Sequence, residues 1–146
     1  MKNLLILLLA GLYLACTTID DSDDTYHKLQ GSWSLSSFYC EDIEQSNKLN
    51  RQIKNQQISL TITFNRHDFS QTAYYKLANG KKQLQSKGVY IADSDGLRID
   101  EAVVGTGNRR MIRFLDLEVE DEGSISIGSD ELCDGKPGVA IFKRRS

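Results

Sequence analysis

The residues able to do chemistry in this 146-residue chain are few and far apart. It has three cysteines, Cys16, Cys40 and Cys133, with no Cys-x-x-Cys pair among them, and two histidines, His27 and His67. A zinc site needs three or four clustered His, Cys or acidic ligands, and this spacing offers none. Nucleophilic catalysis needs a Ser or Cys beside a His oriented by an acid. His67 does neighbour Asp68, but in "NRHDF" it reads as a solvated turn residue, and no Gly-x-Ser-x-Gly is present. "GTGN" at 105–108 lacks the Lys-Ser/Thr of a phosphate loop and reads as a turn. Asp116, Glu118 and Glu120 share one face of a predicted strand, where solvent is their expected partner. No catalytic residue, metal ligand or cofactor is assigned, and a non-enzymatic role is expected.

Cys16 lies on a boundary. Met1-Lys2-Asn3 is a short basic start, Leu4–Ala15 is apolar, and Asp20, Asp21, Asp23 and Asp24 follow. Twelve helical residues reach about 18 Å, short of the ~30 Å hydrocarbon core. The segment therefore reads as an export signal rather than a membrane span. Leu14-Ala15-Cys16 resembles the signal end of bacterial lipoproteins, in which the cysteine after the cut is lipidated. The resemblance implies a signal peptide over 1–15, a lipid anchor on Cys16 and an acidic tether over 16–27. It implies an exported, lipid-anchored protein of the bacterial envelope, at the outer membrane, and the acidic run resembles surface-export tags. An ordinary secretory signal is the alternative. In an exported chain the other two cysteines are free to oxidise. A Cys40–Cys133 bridge would close a loop of about ninety residues, worth ~4–5 kcal/mol by chain entropy; two free thiols are the alternative.

Formal net charge is −2. Four acids lie in the tether, so the remainder is close to neutral and lacks the basic field that nucleic acid requires. No nucleic-acid partner is expected.

Residues 28–146 read as one domain of strands. Leu29, Gly31, Trp33 and Leu35 alternate with polar residues, and "ISLTITF" alternates more cleanly, the period of a half-buried strand. "FSQTAYYKL" and "KQLQSKGVYIA" flank Asn79-Gly80, a hairpin signal in which both central residues take φ > 0. Gly88 is a candidate bulge. "LRIDEAV", "RRMIRFLDLEVE", "SISI" and "GVAIFKR" complete eight segments, with a phase slip at Phe114–Leu115 read as a second bulge. Leu49 and Ile53, four apart, suggest one short helix in the polar stretch 41–56. Eight antiparallel strands with tight turns predict an all-β, up-and-down barrel, since closure removes sheet edges. Closure sets the first strand beside the last, with Cys40 and Cys133 at the same end.

"LQGSWSLSSF" resembles the opening strand of lipocalin-like domains, marked by Gly31-x-Trp33. The likeness runs from Leu29 to Arg144 in strand count and spacing. It implies that Trp33 plugs the closed end of the barrel and that Arg144 or Lys143 covers it. The chain departs from the larger lipocalins in lacking their Thr-Asp-Tyr motif and a helix after the last strand. Two functions fit. In the first the open end binds a small hydrophobic molecule, with Leu35, Leu60, Ile62, Phe64 and Tyr75 inward, along with Ala73, Ile99, Leu117 and Ile141, or else these side chains simply fill the interior. In the second, loops at the disulfide end, with Leu49, Ile53, Lys136, Pro137 and Gly138, block an extracytoplasmic protein such as a peptidase.

Overall fold

The computed structural model describes residues 24–93, 95–105, 109–121 and 123–146. The signal, Cys16, most of the acidic run and the turn at 106–108 lie outside these. Eight antiparallel strands follow one another around a closed up-and-down barrel: β1 Gly31–Cys40, β2 Ile58–Asn65, β3 Asp68–Leu77, β4 Gly80–Asp93, β5 Gly96–Val103, β6 Arg110–Asp121, β7 Ser124–Ser129 and β8 Gly138–Arg144. Two helices accompany them, α1 Asp24–Leu29 and α2 Ile43–Lys54. The all-β barrel is thus the architecture that the alternation predicted. Among the described residues no helix is long and apolar enough to cross a membrane.

The first and last strands close the ring, with Trp33 opposite Arg144 and Cys40 opposite Gly138. Cys40 and Cys133 are disulfide-bonded, with Cα atoms 5.8 Å apart. The staple therefore sits at the mouth of the barrel, and α1 lies across the opposite end, the floor.

Helix α1 is a correction to the tether boundary. It begins at Asp24, inside the stretch assigned to the leash, and Leu29 is fully buried. The Tyr26 ring stacks 6.2 Å from Tyr90 and lies 5.7 Å from His67. Burial of Tyr26 and Leu29 holds a helix too short to persist alone.

Helix α2 covers the predicted stretch. Asp42 caps it, accepting from the amides of Glu44 (2.8 Å) and Gln45 (3.3 Å), the expected partners of an N-cap. Its role emerges from β1. That strand pairs with β2 only over Gly31–Ser34, whereas its pairing with β8 continues to Cys40. The upper edge of β1 is taken up by α2 instead. The Phe38 amide donates to Asn50 Oδ1 (2.7 Å), Asn50 Nδ2 donates to the Phe38 carbonyl (3.0 Å), and the Cys40 amide donates to Ser46 Oγ (2.8 Å). Two side chains one helical turn apart stand in for a missing strand.

Three local expectations change. Leu77 pairs with Gly80, so the turn centre is Ala78-Asn79 and Gly80 follows it at φ +136°. Gly88 sits in unbroken register. A Cβ there would lie 2.0 Å from the Asp100 carbonyl oxygen, so the glycine permits a close strand approach rather than a bulge. The apolar slip in β6 is no bulge either, because Phe114 and Leu115 pair in sequence with Arg98 and Leu97. Phe114 points outward, 74% exposed, under the Arg98 guanidinium at 5.7 Å. The true irregularities fall between Leu35 and Ser37 in β1 and between Val119 and Asp121 in β6.

Candidate ligand cavity and the barrel floor

The floor is built around the single tryptophan. Trp33 is fully buried and its indole N–H donates to the Leu29 carbonyl at 2.8 Å. The Arg144 guanidinium lies over its ring, 4.2 Å from the centroid. Arg144 also donates to the carbonyls of Gln30 (2.6 Å) and Lys28 (2.7 Å). Gly31 takes φ +117°, and a Cβ on it would stand 2.9 Å from Arg144 Nη1. Thus Gly31, Trp33 and Arg144 meet in one cluster; Lys143 lies outside it, exposed. Gln30 ties the floor to the β2–β3 turn, accepting from the Arg66 amide (2.7 Å) and donating to Tyr90 Oη (2.5 Å). Burial pushes the Tyr90 phenol up to about 12, against a smaller lowering by Gln30, with nearby Tyr26 adding to the rise. Phe64, Phe69 and Tyr90 pack above this layer, Phe64 lying 5.5 Å from Phe69 and 4.8 Å from Tyr90.

Toward the mouth the packing stops and a cavity of about 240 Å³ remains. One wall, from β1, β2, β7 and β8, is apolar: Phe38, Leu60, Ile62, Ile127, Ala140 and Phe142. The other is not. Gln71 on β3, Ser86 on β4, Glu101 on β5 and Arg113 on β6 all fall on the inward phase of neighbouring strands. The Glu101 carboxylate is completely buried. It accepts a short hydrogen bond from Ser86 Oγ and forms an ion pair with Arg113 Nη2. That ion pair is a close charge contact rather than an aligned hydrogen bond. Arg113 Nη2 also lies 3.4 Å from Gln71 Oε1, while its buried Nε has no partner among the described residues. Arg113 and Gln71 line the cavity, and Glu131 stands at its exposed rim.

This band was missed in the sequence, although a signal was there. Leu97, Ile99 and Glu101 share a phase, and stepping back by two from Val119, Leu117 and Leu115 arrives at Arg113. Two charges on the apolar phase of adjacent strands indicate a buried pair.

Of the expected ligand contacts, Leu60 and Ile62 line the cavity, whereas Leu35, Phe64 and Tyr75 do not. Leu35 and Phe64 are packed in the core, and Tyr75 is 37% exposed on the β3–β4 ribbon that rises past the rim. Ile141 turns outward while Ala140 and Phe142 are buried; "VAIF" is apolar on both phases, so alternation could not choose between them. Of the expected loop contacts, Lys136 and Pro137 are exposed, but Leu49 and Ile53 are half-buried, and Ile53 packs against the core. Gly138 is a strand residue whose Cβ would fall 2.3 Å from Cys133 Sγ. His27 and His67 are exposed, and among the described residues no three His, Cys, Asp or Glu side chains cluster to hold a metal.

No protein-family model matches the chain, and no curated protein sequence does. Its structure is similar to that of a redesigned beta barrel, with a TM-score of 0.52 and 15% sequence identity, over 86% of this chain and 98% of that one. At that identity the likeness concerns the fold, and the fold is a closed, eight-stranded, up-and-down β-barrel.

Proposed function

We propose that this protein is a non-catalytic, envelope-anchored binding protein that holds a small, mostly apolar molecule in the mouth half of its barrel, tethered to the membrane by a lipid on Cys16. One observation carries the binding reading: a cavity of about 240 Å³ that is lined mostly by apolar side chains, with Gln71 and Arg113 together on one wall. Ligand sites combine these two features, and typical ones span roughly 300–1,000 Å³, so the ligand is a small one. The anchoring part rests on the lipoprotein-like signal end at Leu14-Ala15-Cys16.

The test uses the oxidised protein and a hydrophobic fluorescent dye displaced by short alkyl compounds. Saturable, competitive uptake is expected. Leu60→Trp, which fills the mouth, should abolish uptake without changing the fold measured by circular dichroism. Equal dye uptake by the wild type and the filled variant would overturn the cavity as the site. The loop-inhibitor alternative has less support: Lys136 and Pro137 are exposed, but Leu49 is half-buried and Ile53 packs against the core.

A further inference from the structure

Resting on the carrier reading, we infer that the cavity selects a ligand whose polar end is an uncharged hydrogen-bond acceptor, such as an ester, amide or ketone, rather than a carboxylate. The charges facing the site decide this. Arg113 is the cation on the cavity wall, and its charge is already matched by Glu101, which is sealed behind it with no exposure. The remaining charge at the cavity is Glu131, an exposed carboxylate on the rim. The three together sum to −1, so a bound carboxylate would add like charge to a partly desolvated site, which is costly without a free counter-ion.

A neutral acceptor avoids that cost. Arg113 has five N–H donors in a fixed fork and no acceptor. Its contacts to Glu101 and Gln71 both use Nη2, and Nε is buried out of a ligand's reach, so Nη1 is the end of the fork left to donate into the cavity. Donors on an immobilised guanidinium suit a carbonyl oxygen. A protonated amine finds no acceptor on the guanidinium, and the one unmatched carboxylate, Glu131, stands in water at the rim. Gln71, whose oxygen already faces Arg113, offers its amide nitrogen as a second donor. The alkyl end would lie against Leu60, Ile62, Ile127 and Phe142, on the opposite wall.

The experiment compares octanoate, methyl octanoate and octylamine by calorimetry or dye displacement on the full mature protein. Methyl octanoate should bind at least tenfold more tightly than the two charged analogues. A purely apolar cavity would also favour the ester, so the decisive variant is Glu101→Gln, which leaves the Arg113 charge uncompensated. It should improve octanoate binding tenfold or more relative to the ester. If that variant does not fold, the double variant Glu101→Met/Arg113→Met replaces the pair with apolar side chains of similar length. It should weaken methyl octanoate about tenfold relative to octane. Failure of the wild type to bind any probe would sink the carrier reading itself. Intact binding with the same acid-to-ester ratio in wild type and Glu101→Gln would overturn the head-group assignment alone. So would an ester-to-octane ratio unmoved by the double variant.

Discussion

Removing the Arg144 guanidinium with Arg144→Met tests the construction of the barrel floor. The stacked guanidinium over a fully buried indole contributes about 1 kcal/mol. The hydrogen bonds to the Gln30 and Lys28 carbonyls are charge-assisted, about 1.5 kcal/mol each at the lower end of that class. Arg144 itself is exposed, and water can reach the two carbonyls once it is gone, so the sum is reduced to about 2–3 kcal/mol. For a domain of this size that lowers Tm by roughly 10 °C. Trp33 is the sole tryptophan, so its fluorescence reports the floor directly. Guanidinium unfolding followed by Trp emission should show the lower stability and a red-shifted native spectrum. Arg144→Lys should fall between, since it keeps the charge and loses the fork. An Arg144→Met protein within 0.5 kcal/mol of wild type (taken as about the limit for an inconsequential surface change), with unshifted emission, would refute the proposed construction.

Other outcomes are equally open to measurement. Tyr90 holds its proton to about pH 12 in the folded protein against 10.0 for an ordinary tyrosine. The folded state therefore binds more protons between those values, and stability should be complete below pH 10 and decline by up to about 2–3 kcal/mol as pH rises to 12. Tyr90→Phe should flatten that decline and remove one late step from the 295 nm titration. Reducing the Cys40–Cys133 bridge frees a loop with a sequence separation of 93, which should cost at most about 4–5 kcal/mol; superimposable melts with and without reductant would contradict this. Cys16→Ser should abolish incorporation of labelled palmitate in a bacterial host and move the protein out of the membrane fraction. Undiminished labelling would exclude the anchor.

Strand count, order and closure were readable in the sequence because Ile58–Phe64 and its neighbours obey a two-residue period and because the cysteines fall at the ends of the first and last segments. Where both phases are apolar, as in Val139–Phe142, the period is silent and Ile141 was placed on the wrong face. Where a charge sits on the apolar phase, hydropathy gives the wrong sign. Glu101 and Arg113 read as surface residues singly, and only their cross-strand proximity makes them interior. The floor helix was hidden for a different reason: Asp24 to Leu29 is too short and polar to signal a helix, and its stability comes from Tyr26 meeting the distant Tyr90 and from Leu29 held beneath Trp33. The tube is legible locally, whereas the cavity depends on which side chains converge.

Helix α2 gives the wall two unequal joints on either side of one strand. Along its β8 side the upper part of β1 is laced by backbone bonds and bolted by sulfur. Along its β2 side it is only buttoned, by Asn50 and Ser46. Any breathing of the wall near the mouth must begin at the buttons, so the helix is the door and the disulfide its hinge post. For the carrier proposed above, a guest too wide for the rim would find its easiest entry on this flank, where two side chains rather than a row of backbone bonds hold the edge.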